Sequence, residues 1–211
     1  MFVVYAVVRA GDPPPEGIGV GGEPLEVITH DGIGLLVGEC LHRPEPSREN
    51  LLAFGRVVHQ MFAHGPVLPV RFGTTMPNRA AVRTQLAEKA VDWEQRLQAV
   101  TDHVEVVVHV RPDRPPSPAR SGRAYLLSRA AALRSEHELA VAVTAAASPT
   151  ACDVRPLPSK DGVRVACLVA TDDVDDLRAG LEKWAASADR DLATTGPWPP
   201  FSFTESEAET W

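Results

Sequence analysis

The sequence predicts an α+β protein made of two small domains, and three observations carry that prediction. Short apolar runs such as Phe2–Val8, and the alternating stretch His103–Arg111, have strand length and strand periodicity. Two stretches, 47–65 and 77–100, carry apolar residues every three or four positions, as a helix with one buried face does. Between 112 and 118 stand four prolines, the stiffest linker in the chain. Residues 1–111 are therefore expected to form a ferredoxin-like antiparallel sheet with helices on one face. Residues 112–119 are the Pro-rich linker. Residues 120–211 are a second α+β unit ending in an ordered tail of prolines and aromatics.

Each element follows from local chemistry. Phe2–Val8 is rich in Val and too short for a helix, so it reads as a buried strand. The Gly- and Pro-rich stretch 11–24 is a loop. Leu25–Thr29 and Leu35–Cys40 are strands joined by a turn at His30-Asp31-Gly32. Pro46-Ser47 opens a helix with Ser47 as N-cap, and Gly65-Pro66 closes it. Its stripe is Leu51, Phe54, Val58, Met61 and Phe62. A second helix starts near Pro77-Asn78 with the stripe Val82, Leu86, Ala90, Trp93, Leu97 and Val100. The order β-β-β-α-β-α-β, ending on the strand His103–Arg111, is a ferredoxin-like sandwich with one added strand. In the second half, a long Ala-rich helix over roughly 120–147 stops at Ser148-Pro149. Strands follow near Cys152–Leu157 and Val163–Ala170. Thr171-Asp172-Asp173 then caps a helix whose first turn holds Asp175 and Asp176, which favour the helix dipole. Its buried stripe is Val174, Leu177, Leu181 and Trp184. A short strand near Leu192 precedes the tail. Trp93 and Trp184 are expected to lie in two separate cores.

Composition excludes several functions. The 211 residues carry a net charge of −7 with the basic residues scattered, which argues against a nucleic-acid footprint or an anionic membrane surface. Cys40, Cys152 and Cys167 form no C-x-x-C pair, so neither a disulfide framework nor a zinc site is expected, and a reducing cytoplasm suits them. The apolar start lacks a basic n-region and runs into Asp12-Pro13-Pro14-Pro15, unlike a signal peptide. No stretch reaches the roughly 18 apolar residues of a membrane span.

Catalytic and ligand-binding patterns are also missing. Gly17–Gly22 spells G-x-G-x-x-G, but a proline run precedes it and a strand follows it, so it reads as a flexible loop rather than a dinucleotide site. His59 and His64 are about 140° apart on a helix and cannot share a metal as an i, i+4 pair does. There is no nucleophile elbow, and Cys167 sits mid-strand as a buried thiol. No catalytic, metal or cofactor residue is expected.

Two segments remain: Pro66-Val67-Leu68-Pro69-Val70-Arg71-Phe72-Gly73-Thr74 and Thr195-Gly196-Pro197-Trp198-Pro199-Pro200-Phe201-Ser202-Phe203. Both are apolar and proline-fixed, as suits setting geometry or gripping a partner. Arg71 stands in an apolar run, so it either reaches an internal carboxylate or carbonyl set or faces a partner. Trp198 and Phe201 either lay the tail across the core or present an aromatic pair to another chain. Three fixed φ angles favour an ordered tail packed on the protein, with Trp198 as its anchor.

Together the two segments resemble the signature segments of the gas vesicle accessory protein family GvpF/GvpL. Met1–Val7 and Gly122-Arg123-Ala124-Tyr125-Leu126-Leu127 resemble its opening strand and the start of its second half. Val70 and Phe201 stand where the family more commonly has Met and Tyr, and the stretch from Tyr125 to Cys152 is short for it. The resemblance implies two α+β domains and a non-catalytic role in gas vesicle assembly. It also implies binding to the small hydrophobic shell protein (GvpA-type) and to other accessory proteins, in the cytoplasm and at the vesicle. It does not separate GvpF from GvpL. Arg71, Phe72, Trp198 and Phe201 are the candidate partner-binding residues. A small ligand-binding or enzymatic α+β domain is the alternative, which a pocket with converging titratable groups would favour.

Overall fold

The computed structural model describes residues 1–111 and 122–204. Residues 112–119, read from sequence as the linker, lie outside them. The protein is α+β and divides into two compact units, Met1–Asp102 together with the segment from Trp198, and His103–Pro197.

In the first unit β1 (Phe2–Arg9) is central. It pairs antiparallel with β3 (Ile33–Glu39), which pairs with β2 (Leu25–His30). Asp31 and Gly32 both take positive φ, the hand a two-residue hairpin turn needs, so His30 and Ile33 close the ladder. On its other side β1 pairs with two short strands, β4 (Leu68–Pro69) and β5 (Thr75–Met76). Two helices complete the unit. α1 (Arg48–Phe62) is capped by Ser47, whose hydroxyl accepts from the Asn50 amide at 3.1 Å. α2 (Arg79–Ala99) is capped by Asn78, which accepts from the Ala81 amide at 2.9 Å.

The expectation of helices on one face does not hold for this sheet. Phe2, Val4, Val7, Leu35 and Val37 pack with Val82, Leu86, Trp93 and Leu97 of α2. The intervening Val3, Tyr5, Val8 and Leu36 pack with Phe54, Val57, Val58 and Met61 of α1. Side chains alternate along a strand, so the two helices cover opposite faces. The physical reason is legible in β1, whose unbroken apolar run has no polar face to offer to water.

The second unit begins with β6 (His103–Val110). Sequence alone counts β6 with the first sheet, but it pairs antiparallel with β8 (Val163–Ala170) in the second. α3 (Gly122–Ala147), β7 (Asp153–Leu157), α4 (Val174–Ala188) and β9 (Leu192–Trp198) complete the unit. The sheet order is β7-β8-β6-β9. The chain order β-α-β-β-α-β is the ferredoxin-like one, so that arrangement falls here rather than in the first half. Both helices pack on β8 and on each other. Trp93 is buried in the first core, while Trp184 is only half-buried beside Leu181 and Ala185.

Candidate docking surface

The segment Pro66–Thr74 runs along β1 but leaves it briefly. Val7 faces Leu68 and Ala6 faces Pro69; Val3 faces Thr75 and Phe2 faces Met76. Between them β1 carries a bulge at Tyr5, where its register with β3 shifts. The Val70 amide donates to the Tyr5 carbonyl at 3.1 Å, and the Val4 amide donates to the Thr74 carbonyl at 3.0 Å. The residues between make an outward turn. The Arg71 carbonyl accepts from both the Thr74 amide and its hydroxyl, and Gly73 supplies φ +83°.

That turn answers the question about Arg71. Its side chain is exposed, and among the described residues its guanidinium has neither an ion pair nor a hydrogen bond. It is not an internal staple. Phe72 turns inward and meets the Phe54 ring edge-on, with centroids 5.5 Å apart; Phe54 in turn stacks on Tyr5 at 5.2 Å. The Tyr5 hydroxyl donates to Glu23 Oε1 at 2.6 Å and accepts from the Val20 amide at 2.8 Å, while Glu23 Oε2 accepts from the Gly21 amide at 2.7 Å. Burial first, and the bond to Glu23 second, push the Tyr5 phenol well above its ordinary pKa. The glycine loop 17–22, read as flexible, is an ordered cap over this pair. The Gly19 amide donates to the Glu23 carbonyl, and a Cβ at Gly19 would collide with the Glu23 carboxyl and the Tyr5 hydroxyl.

The tail differs from its sequence reading in one respect. Its buried residues are Pro199, Pro200 and Phe203, with Phe201–Phe203 forming a 3-10 turn that packs against β4. Trp198 is 42% exposed and meets His59 of α1 edge-on, with ring centroids 6.4 Å apart. Phe201 is 40% exposed. The anchor is therefore Phe203, and the two aromatics singled out from sequence are half in water.

The two signature segments meet at one groove of about 510 Å³, lined by Arg71 and Phe72 from the first and by Phe201 and Thr204 from the second. Leu51, Phe54 and Gly55 of α1 form its floor. Leu51, taken from its spacing as a core residue, is 48% exposed here. Gly55 lies one turn further on, and a Cβ there would meet nothing within 4 Å. The pair Leu51–Gly55, a large apolar residue and a void at i, i+4, is the signal from which a groove could have been read. Of the four candidate residues, Arg71, Phe72 and Phe201 share this groove; Trp198 lies beside α1 near His59.

The groove is apolar with one cation, Arg71, on its rim. The remaining titratable side chains lie elsewhere. His64 Nδ1 is 2.9 Å from the Gln60 carbonyl, and His103 Nε2 is 3.3 Å from Cys152 Sγ. Burial, followed by the charge of Glu105, pushes the Cys167 thiol up to about 12. No cluster of three or more His, Cys, Asp or Glu placed to hold a metal occurs among the described residues. None of the described helices is long and apolar enough to cross a membrane.

Comparison with known proteins agrees along the whole chain. Residues 2–205 match the family described as "Gas vesicle synthesis protein GvpL/GvpF". The chain is 31% identical to gas vesicle protein F of Streptomyces sp. (strain CB03234), over 96% of this chain and 98% of that protein. It is 24% identical to gas vesicle protein L2 of Halobacterium salinarum, over 95% of this chain and 90% of that one. Its fold is similar to the crystal structure of GvpF from Anabaena sp. PCC7120, with a TM-score of 0.80 at 18% identity over 100% of this chain and 98% of that chain. GvpF from Microcystis aeruginosa gives 0.75 at 16% identity, over 97% and 99%.

Proposed function

The chain belongs to the gas vesicle GvpL/GvpF family, and from that premise we propose that it is a non-catalytic assembly protein that holds the small hydrophobic shell protein through the groove beside α1. The observation that carries this reading is the convergence of both signature segments on one exposed apolar surface. A shell monomer with an amphipathic helix would lay its apolar face along Leu51, Gly55, Phe72 and Phe201, excluding water from side chains already half-exposed. Arg71 would meet a carboxylate or a helix C-terminus of that partner. Trp198 extends the same contact toward His59. Other gas vesicle accessory proteins are the remaining partners, and the cytoplasm, at the growing vesicle, is the place of action.

Gly55→Leu tests the reading. The new side chain enters open space and plugs the groove, while replacing Gly within a helix adds up to about 1 kcal/mol of stability. The expected outcome is a raised Tm together with lost co-purification of the shell protein. Undiminished capture by the more stable variant would overturn the assignment.

A further inference from the structure

α3 is held to its unit by one end. Val143 and Ala147, in its last two turns, are its buried residues among those described. From Leu126 to Glu138 every residue except Ser128 and Ala132 is exposed. This exposed portion is not polar. Leu126 is 66% exposed and Leu133 57%. With Ala130 and His137 they fall at steps of four, three and four, the spacing of a coiled-coil seam. A surface helix would not keep that stripe bare without a use, since exposed apolar patches mark association sites.

We propose that the exposed portion of α3 pairs antiparallel with the same helix of a second copy of this chain. The charges beside the seam name the occupant. Arg129 and Glu136 both occupy the position just before a seam residue, one on each side of the helix segment's midpoint. Reversing a second copy against the first sets Arg129 opposite Glu136 twice, related by the two-fold axis. A parallel pair would instead set Arg129 of each copy against Arg134 of the other and leave Glu136 without a cation. The same antiparallel register puts Leu133 over Ala130, a large residue against a small one at the two central levels, and Leu126 over the His137 ring at the outer ones. The pairing also supports a helix portion that gains little from its own unit, since isolated helices of this length are marginal in water.

Sedimentation equilibrium of the full chain over a range of concentrations tests this. Wild type should show a monomer–dimer equilibrium, and Leu126→Glu with Leu133→Glu should weaken it at least tenfold, about 1.4 kcal/mol. Both side chains are exposed, so an unchanged Tm and helix content should accompany the loss. Arg129→Glu should weaken the dimer, and adding Glu136→Arg should restore it, as only a reciprocal contact allows. A wild type that stays monomeric throughout, a dimer that survives the double Leu variant, or a charge swap that fails to restore would each overturn the proposal. So would a monomeric chain whose capture of the shell protein depends on Leu126 and Leu133, because the helix would then belong to that interface.

Discussion

β1 and β6 are both eight-residue, Val-rich strands, yet they are packed differently. β1 is apolar at nearly every position, and a helix covers each of its faces. β6 alternates over most of its length: Val104, Val106, Val108 and Val110 are buried and His103, Val107 and His109 are half-buried, while Glu105 breaks the pattern by being buried between two valines. Its sheet carries α3 and α4 packed against each other. The comparison teaches that strand periodicity reports the number of covered faces, not merely the presence of a strand. An unbroken run asks for two layers of helix, and an alternating one asks for one.

The largest expected effect tests the doubly covered unit. Phe54→Ala removes the ring between Tyr5 and Phe72 and should lower stability by about 3–5 kcal/mol in denaturant unfolding. Leu181→Ala, in the other unit, should cost about 2–5 kcal/mol. If only one of these changes shifts the fluorescence transition of Trp93, the two cores unfold separately; if both do, they are coupled.

The tail sharpens the contrast within the first unit. Phe203→Ala should cost about 3 kcal/mol and Trp198→Ala about half that, because Trp198 leaves much of its area in water. Equal losses in thermal unfolding would show that the exposed ring is the true anchor.

Tyr5→Phe should cost about 1–3 kcal/mol by leaving Glu23 Oε1 without its donor and the Val20 amide without its acceptor. The same pair sets an alkaline limit. The Tyr5 pKa is raised in the folded state, so its contribution is complete below the unfolded value near 10 and is lost as pH rises beyond it. Absorbance at high pH should show one phenol, Tyr5, ionising only on unfolding. Early ionisation of both tyrosines would contradict its burial.

The smallest effect concerns thiols. Cys152 is exposed and Cys167 buried, with its pKa near 12, so an aromatic disulfide reagent should label Cys152 in the native protein and Cys167 only in denaturant. Rapid native labelling of Cys167 would mean that β8 opens far more readily than its pairing implies.

Most secondary elements were legible because their signals are local. Ser47 and Asn78 cap their helices as their types suggest, and Asp31-Gly32 turns the hairpin. The partnership of strands was not, because nothing in His103–Val110 states whether its ladder partner lies before or after it in sequence. The groove was half legible. Arg71, Phe72 and Phe201 stood out as odd residues in apolar segments, whereas Leu51 and Gly55 looked like ordinary helix positions. The Tyr5–Glu23 pair was hidden for the same reason, since its members meet only through the bulge and the glycine cap.

The first unit is written in two instalments, with all of the second unit encoded between Asp102 and Trp198. On the ribosome, at about 5–20 residues per second, roughly 5–20 s separate the arrival of residue 102 from that of Thr204. During that interval Leu51, Phe54 and Phe72 exist without Phe201 and Thr204 beside them. The proposed binding surface is thus withheld from nascent chains and is complete only when translation has passed the tail, so a stalled or truncated product carries the fold's first helices but not the whole groove.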